Sequence, residues 1–363
     1  MNAAAVWVRV LCGLFGAVVI IAVFDAAIRT FLLPRVANVR LTRWVARVVG
    51  AGFRAVASEK RDYATRDSVL SLFPSILLLM FQAIWLIFAF VGFMGLYVAS
   101  GVSNVARAAE LSGSALFTLG TTPGEGGAQI TLSYVEAGAG LTLLALLISF
   151  IPTLYAAFQR REVSVSRLSV RAGVSPTPWG VIELARSVQD WNRLDELWSE
   201  WESWFIETGE THTTLTILNF YRSPHRNLTW MNAATTALDS AALFNAAVDL
   251  PTSARAGLCI RSGWIALRGI ADYFHVPYST TPTRDLPISI TREEFELVLD
   301  HLQASGVPLV ADRDTAWGDF VGWRVNYDSM VEGLSKTFTC PRTEWSAVVN
   351  EPVIGISNVR GRQ

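Results

Sequence analysis

The stretch 114–127, SALFTLGTTPGEGG, separates two of the most apolar segments of the chain. Val69 to Ala99 is 31 residues without a charged side chain, and Ala137 to Phe158 is 22 residues without one. A helix needs about 20 apolar residues to cross a bilayer, so both segments predict membrane-spanning helices. The quoted stretch therefore predicts the end of a helix and an irregular loop between two spans.

A third apolar segment precedes these two. Val10 to Phe24 carries no charge, and the apolar residues on either side extend it to the length of a span. A cleaved signal peptide is the alternative interpretation, because small residues follow the apolar core. We favour an N-terminal transmembrane span over residues 1–33, because Asp25 and Arg29 are followed at once by TFLLPR.

Charge divides the chain into two parts. Of the 363 residues, 51% are hydrophobic and 17% are charged, whereas soluble domains carry roughly a quarter charged residues. Residues 1–159 hold 11 Lys/Arg and 7 Asp/Glu, and residues 160–363 hold 19 and 24. We expect a membrane part, a linker over 161–179 and an α-helical domain over 180–363 that is large enough for its own core.

The basic residues predict an orientation. Residues 34–66 carry eight Lys/Arg, whereas residues 101–132 carry only Arg107. By the positive-inside rule, the first loop lies in the cytoplasm and the loop with the quoted stretch lies outside. The sequence thus predicts a multi-pass protein of the inner (plasma) membrane with its N-terminus outside and its C-terminal domain cytoplasmic.

The basic segment 34–66 has a helical pattern. Arg40, Arg43, Arg47 and Arg54 recur at spacings of three, four and seven residues, which is one helical face. This spacing predicts a cytoplasmic interfacial helix whose arginines bind anionic membrane lipid. A solvated loop that only sets the topology is an equally good interpretation.

The segment that joins the second and third spans combines a helix and a break. NVARAAELSGSALF predicts a short helix with Val105, Ala108, Leu111, Ala115 and Leu116 on one side, and the pattern ends at Thr118. Irregular backbone at membrane depth is tolerated only where protein buries it or where it lines a wet cavity. The negative end of a helix dipole and bare carbonyl oxygens both favour a cation.

The order span, short helix, Thr-x-Gly, span resembles the pore module of the potassium channel superfamily. SALFTLGTT is similar to the family's filter pattern, Thr-x-Gly-Tyr/Phe-Gly-Asp, with Thr118, Leu119 and Gly120 at its first three positions. Three residues depart from the pattern: Thr121, Thr122 and Pro123. A second register, with TTPGEG as the filter, sets a proline inside it, and we prefer the first.

The rest of the chain resembles a bacterial family of membrane proteins that carry this single pore loop. The segments that carry the likeness are EAGAGLTLLALLISFIPTLYAAFQRRE, PISITREEF and GWRVNYD. The expected fold class is therefore mainly α: a span–pore-loop–span module over 67–160 with an extra N-terminal span, followed by a cytoplasmic α-helical domain.

The resemblance implies an ion filter, and four identical chains are needed to enclose it, so a homotetramer is implied. No cofactor or resident metal is expected beyond the permeant monovalent cation, K⁺ or Na⁺. Left-handed backbone at Thr122 would be strained, because the family has glycine there. Glu125 is a candidate carboxylate at the pore mouth, although a solvated loop glutamate is the simpler interpretation. The implied filter residues are Thr118, Leu119, Gly120, Thr121 and Thr122.

The third span contains residues that loosen helices. Pro152 removes a helix hydrogen bond and predicts a kink, and Gly138 and Gly140 loosen the outer end. A gate hinge is one interpretation of these three residues, and a static kink that widens the inner mouth is the other.

The C-terminal domain shows helical periodicity. We predict helices over 180–205, 227–248, 253–273, 292–304 and 315–334, with Thr291 and Glu294 as the capping box of the fourth. LPISI and VPLV, which flank that helix, are predicted to pair as a short β element.

The function classes narrow accordingly. No nucleophile elbow, phosphate loop, HExxH motif or metal-ligand spacing is visible, so we predict that the protein is not an enzyme. The domain lacks a basic patch, which argues against nucleic acid. We expect a cation channel whose helical domain assembles the tetramer or responds to an unknown ligand or protein. The alternative is a non-conducting scaffold or sensor that uses the pore module for oligomerisation.

Overall fold

The computed structural model describes residues 3–32, 45, 48–53, 63–172, 176–223, 229–340 and 345. Within these ranges the protein is mainly helical and has no β-strand. Three helices are long and apolar enough to cross a membrane, Val6–Phe31, Asp67–Ala99 and Gly127–Ala172, which confirms the three predicted apolar segments. The four arginines of the predicted interfacial helix, Arg40, Arg43, Arg47 and Arg54, lie outside the described residues.

The chain divides into two compact units, Met1–Ala156 and Ala157–Gln363. One long helix, Gly127–Ala172, begins in the first unit and continues into the second. The helices of the first unit are α1 (Ala3–Phe31), α2 (Tyr63–Ser71), α3 (Phe73–Ala99), α4 (Val105–Leu116) and α5 (Gly127–Ala172).

Glycines bring α1 and α3 into close contact. A Cβ atom on Gly16 would lie 2.3 Å from the carbonyl oxygen of Gly92, and one on Gly95 would lie 2.6 Å from the carbonyl oxygen of Cys12. Small residues at matched positions let two apolar helices approach closely enough for extensive van der Waals contact. The N-terminal helix is therefore shaped to fit α3.

Helix α3 begins where the sequence places a proline. Pro74 lies in the first turn of α3, where a backbone N–H has no partner within the helix and its loss costs little. The preceding short helix α2 ends at Ser71, so the 31-residue apolar segment is interrupted near its start rather than continuous.

Helix α5 is longer than the predicted span. It runs for 46 residues, through Pro152, and ends at Ala172. The first twelve residues of the predicted linker, 161–172, are therefore helical. Within the second unit, Val165, Leu168 and Ala172 are buried in the hydrophobic core, which explains why the helix does not stop after the apolar segment.

The second unit surrounds an alanine-rich central helix. Its α8 buries 15 of 18 residues, as expected for a helix that is apolar on all sides and lies inside a domain. The elements that follow α5 are α6 (Pro178–Ser187), α7 (Asn192–Thr214), a 3₁₀ turn (Thr216–Phe220), α8 (Trp230–Ala247), α9 (Ala254–Phe274), α10 (Arg292–Ala304), α11 (Arg313–Arg324) and α12 (Asp328–Phe338).

Two predicted helices of this domain are each broken into two. The helix predicted over 180–205 is interrupted between α6 and α7, where Gln189 adopts left-handed backbone with φ of +56°. The helix predicted over 315–334 is interrupted between α11 and α12. The predicted β pairing is wrong in its partner: Leu309 forms an isolated antiparallel bridge with Val248 instead of with LPISI.

Candidate functional site

Helix α4 begins with an asparagine cap and is buried along one side. The Asn104 side chain accepts a hydrogen bond from the backbone N–H of Ala106 at 2.9 Å. Ala108, Leu111 and Leu116 are buried, as their spacing predicts. Val105 was predicted on the same side but is 65% exposed.

The loop after α4, residues 117–126, folds back on the end of the helix. Thr118 adopts left-handed backbone with φ of +54°. This turn directs the N–H of Thr118 to the carbonyl of Ala115 at 3.0 Å and the N–H of Leu119 to the carbonyl of Ser114 at 2.8 Å. The last carbonyls of α4 are thus capped by the loop, as in common helix ends.

Ser114 connects this loop to α4 through its side chain as well. Its buried hydroxyl oxygen accepts a hydrogen bond from the N–H of Thr122 at 3.0 Å and lies 3.3 Å from the hydroxyl of Thr121. One serine therefore fixes both ends of the TLGTT segment, through its carbonyl and its hydroxyl.

The predicted filter residues lie together on this exposed loop. Leu119 is 64% exposed in the single chain, and the Thr118 hydroxyl donates to the Phe117 carbonyl at 2.7 Å. Gly120 has φ of +67°, and a Cβ atom there would meet nothing within 4 Å. The strain expected at Thr122 is absent, since the left-handed β-branched residue is Thr118.

Glu125, the predicted mouth carboxylate, lies near a cation of α4. Its side chain is 3.8 Å from the Arg107 guanidinium, which also donates to the carbonyl of Pro123 at 3.4 Å. The N–H of Glu125 donates to the Gln129 side chain at 2.8 Å. Arg107 therefore offsets part of the negative charge that Glu125 brings to the loop.

The three predicted hinge residues have different surroundings. A Cβ atom on Gly140 would lie 2.4 Å from the carbonyl oxygen of Leu116, so Gly140 permits close contact between α5 and the end of α4. Gly138 has open space around it, and Pro152 lies within the continuous α5. Close packing is thus a sufficient reason for Gly140, and the hinge stays a prediction.

A buried polar cluster behind α4 escaped the sequence reasoning. The Ser112 hydroxyl oxygen lies 2.5 Å from Oε1 of Glu136 on α5 and 3.1 Å from the carbonyl oxygen of Phe90 on α3. The Tyr97 hydroxyl lies 3.1 Å from that of Ser133 in the same region. A charged residue within a long apolar helix is the signal that identifies such a cluster, and placing the span boundary at Ala137 excluded it.

In the second unit, α5 carries a buried arginine. The Arg161 guanidinium contacts the Glu162 carboxylate at 2.8 Å and donates to the carbonyls of Leu218 at 2.9 Å and Tyr221 at 2.8 Å. These contacts join α5 to the segment that follows α7. The charge is therefore paired and hydrogen-bonded, as burial requires.

His212 of α7 completes this cluster as a neutral imidazole. Its Nδ1 lies 3.0 Å from the carbonyl oxygen of Thr208, and its Nε2 lies 3.3 Å from Nη1 of Arg161. The carbonyl accepts only from an Nδ1–H, which leaves Nε2 as the acceptor toward the guanidinium. Burial and the charge of Arg161 hold the pKa of His212 well below its usual range.

A second buried ionic cluster holds α8, α11 and α12 together. Arg324 pairs with Asp239 and with Asp328, the latter at 2.9 Å, and Asp239 also accepts from Tyr327 at 2.7 Å and from the Trp345 indole at 3.0 Å. Burial raises the pKa of Asp239, and the charge of Arg324 opposes that shift. The cluster borders a cavity of about 150 Å³.

Comparisons of the chain with protein-family models, with curated proteins and with solved structures found no match. In the part of the chain that the structure describes, no group of three or more His, Cys, Asp or Glu side chains is placed to hold a metal ion.

Proposed function

We propose that the protein is a subunit of a homotetrameric, potassium-channel-like cation channel with TLGTT, residues 118–122, as a divergent filter. The observation that carries the proposal is the short helix α4 between two apolar helices, with a polar loop fastened to its C-terminal end through Ser114. Between two membrane spans, the irregular backbone of such a loop is tolerated only where water or protein surrounds it.

Exposure of the loop in a single chain supports assembly. Phe117 is 55% exposed, and Leu119 is more exposed still. Four copies around an axis would cover these apolar side chains and bring four copies of Gly120 near the axis. The carbonyl oxygens of residues 118–120 would then replace part of the hydration shell of K⁺ or Na⁺.

In the proposed orientation, the protein lies in the inner (plasma) membrane of the cell. Its N-terminus is outside, and its second unit is in the cytoplasm. The asymmetry of Lys and Arg between residues 34–66 and 101–132 supports it. Lipid binding by the basic segment and a ligand or protein partner for the second unit belong to the same proposal.

The helix α5 offers a route from the helical domain to the pore. Arg161, Val165 and Leu168 are buried within the second unit, and the helix continues from the apolar segment without a break. A rearrangement of the second unit that moves these side chains would move α5 itself. Gating through the domain needs no further connecting element.

Ion flux through purified protein in liposomes tests the proposal. Gly120→Leu adds a side chain whose Cβ atom meets no atom of its own chain within 4 Å and which would fill the axis of a tetramer. Gly126→Leu is the matched control, because Gly126 also has left-handed backbone, φ of +86°, and open surroundings. We expect cation flux in the wild type, loss of flux in Gly120→Leu and retained flux in Gly126→Leu.

Two results would contradict the proposal: no flux of either K⁺ or Na⁺ in the wild type, or equal flux in the two leucine variants. Both variants must elute as the wild type does, so that the comparison concerns folded protein. The reversal potential with Na⁺ on one side and K⁺ on the other then measures the ion preference.

A non-conducting scaffold is the second candidate. The observation that favours it is the capping of the α4 carbonyls by the loop's own N–H groups, together with the Thr118 hydroxyl bound to the Phe117 carbonyl. These bonds fasten the loop to its own helix within one chain, so the shape of the loop does not depend on a bound ion. A tetramer by native mass spectrometry that passes no ions would favour this candidate.

A further inference from the structure

Helix α5 carries a carboxyl group that is completely buried in the apolar part of the first unit. Glu136 is 0% exposed, and its Oε2 atom has no hydrogen-bond partner among the described residues. A carboxylate in such surroundings loses its hydration and gains one hydroxyl contact, at Oε1, which is costly, whereas a neutral carboxylic acid loses much less.

The hydrogen count at Ser112 distinguishes the two forms. The Ser112 hydroxyl oxygen is within hydrogen-bond distance of two acceptors, Oε1 of Glu136 at 2.5 Å and the carbonyl oxygen of Phe90 at 3.1 Å. A serine hydroxyl donates one hydrogen. Both contacts are hydrogen bonds only when Glu136 supplies the second hydrogen, so that Glu136 donates to Ser112 and Ser112 donates to Phe90.

Among the residues that the structure describes, no positively charged side chain contacts Glu136. The described groups that bear on Glu136 are Ser112 from α4 and Tyr97 from α3, and the neighbouring polar group on α5 itself is Ser133. Arg107, the cation of α4, pairs with Glu110 and Glu125 on the exposed side instead.

We propose that Glu136 is a proton-binding site and that its proton holds α4 against α3 and α5. The bound proton completes the chain from Glu136 through Ser112 to the Phe90 carbonyl. When the proton leaves to solvent, the single Ser112 hydrogen serves one acceptor, and α4 loses its link to the other helix. Because the loop 117–126 continues from α4, the position of that loop responds to the proton. The inference concerns binding of a proton and does not depend on conduction.

Infrared spectroscopy of the full-length protein in lipid nanodiscs tests the proposal directly. We expect the carbonyl band of a protonated carboxylic acid at neutral pH in the wild type, and its loss in Glu136→Gln. Glu110→Gln is the control, since it removes an exposed carboxylate of α4 and should leave the band unchanged. Identical spectra for wild type and Glu136→Gln would overturn the proposal.

A second variant keeps the test decisive if Glu136→Gln does not fold. Ser112→Ala removes the acceptor of the proton, so the acid band should persist but move to the frequency of a more weakly hydrogen-bonded carboxyl. A band unmoved by Ser112→Ala would also overturn the proposal.

The third measurement is thermal unfolding as a function of pH. A glutamine amide donates to Ser112 without titrating. Above about pH 6.5, where the His212 contribution is already complete, raising the pH should therefore lower the unfolding midpoint of the wild type more than that of Glu136→Gln. Parallel pH profiles for the two proteins would mean that Glu136 holds no proton.

Discussion

Replacing His212 should change how the stability of the second unit depends on pH. In the folded protein, a second proton on the imidazole would occupy Nε2, directly against the Arg161 guanidinium 3.3 Å away. Burial and that charge depress the folded pKa well below the unfolded value of about 6.5. The unfolded chain therefore binds a proton below this pH that the folded chain does not accept.

The sign and size follow from proton linkage. Because the pKa of His212 is lower in the folded state than in the unfolded state, its full contribution to stability is present above about pH 6.5. That contribution is lost as the pH falls toward the folded pKa. Each pH unit in this window changes the free energy of unfolding by about 1.4 kcal/mol. Between pH 6.5 and pH 5 the wild type should lose about 2 kcal/mol through His212.

The perturbation is His212→Gln, in which a neutral amide can still donate to the Thr208 carbonyl and accept from Arg161. The assay is urea unfolding of the full-length protein in detergent, followed by tryptophan fluorescence. One of the tryptophans, Trp230, has its ring centroid 4.8 Å from that of His212. His275→Asn is the control, because His275 is an exposed histidine. Its backbone is left-handed, a conformation that asparagine tolerates.

We expect the wild type and His275→Asn to lose stability more steeply than His212→Gln between pH 6.5 and pH 5. Equal slopes in all three proteins would refute the reasoning, because they would show that His212 accepts its proton as readily in the folded state as in the unfolded one.

Three further substitutions test particular contacts. Gly140→Ala should lower the thermal unfolding midpoint, since overpacking costs about 1–3 kcal/mol. Gly138→Ala, which adds a methyl group in open space, should leave the midpoint equal or higher. The same midpoint for both variants would contradict the close contact at Gly140. Tyr327→Phe should cost about 1.5–3 kcal/mol in urea unfolding through the lost hydrogen bond to a buried carboxylate. Tyr278→Phe removes an exposed hydrogen bond to Asp272 and should cost less than about 0.5 kcal/mol. Thr291→Ala should cost about 1 kcal/mol and speed amide exchange in the first turn of α10, and Thr291→Ser should restore both.

Local signals in the sequence were sufficient for some elements. The helix predicted over 292–304 has the observed bounds, because its capping box fixes the start and left-handed Gly306 follows the end. The three helices that are long and apolar enough to cross a membrane were evident from their apolar segments, since few soluble helices of that length avoid charge.

The misplaced helix ends share a physical reason. Gln189 interrupts the helix predicted over 180–205 with a left-handed conformation that the local sequence does not indicate, because tertiary packing overrides helix propensity there. In the same way, α5 continues beyond its apolar segment because Val165 and Leu168 find a core in the second unit. Neither packing environment is visible in a window of neighbouring residues.

The candidate site was predictable in its position but not in its chemistry. The loop 117–126 follows from the breakers in TLGTTPGEGG, whereas the roles of Ser112 and Ser114 depend on what faces α4. Serines in a short helix usually indicate a solvated side, and only the placement of Glu136 and Phe90 shows otherwise. The Ser112 contacts join residues 22 and 24 positions apart, whereas Ser114 contacts the loop seven and eight positions further on.

The unbroken course of α5 has a consequence for engineering. At about 100° and 1.5 Å per residue, one residue inserted into the helix turns everything after it through more than a quarter revolution. Seven inserted residues complete nearly two turns and restore the original angular phase to within about 20°. An insertion between Arg161 and Val165, inside the second unit, should therefore break either the Arg161 contacts or the burial of Val165 and Leu168, unless it restores the angular phase.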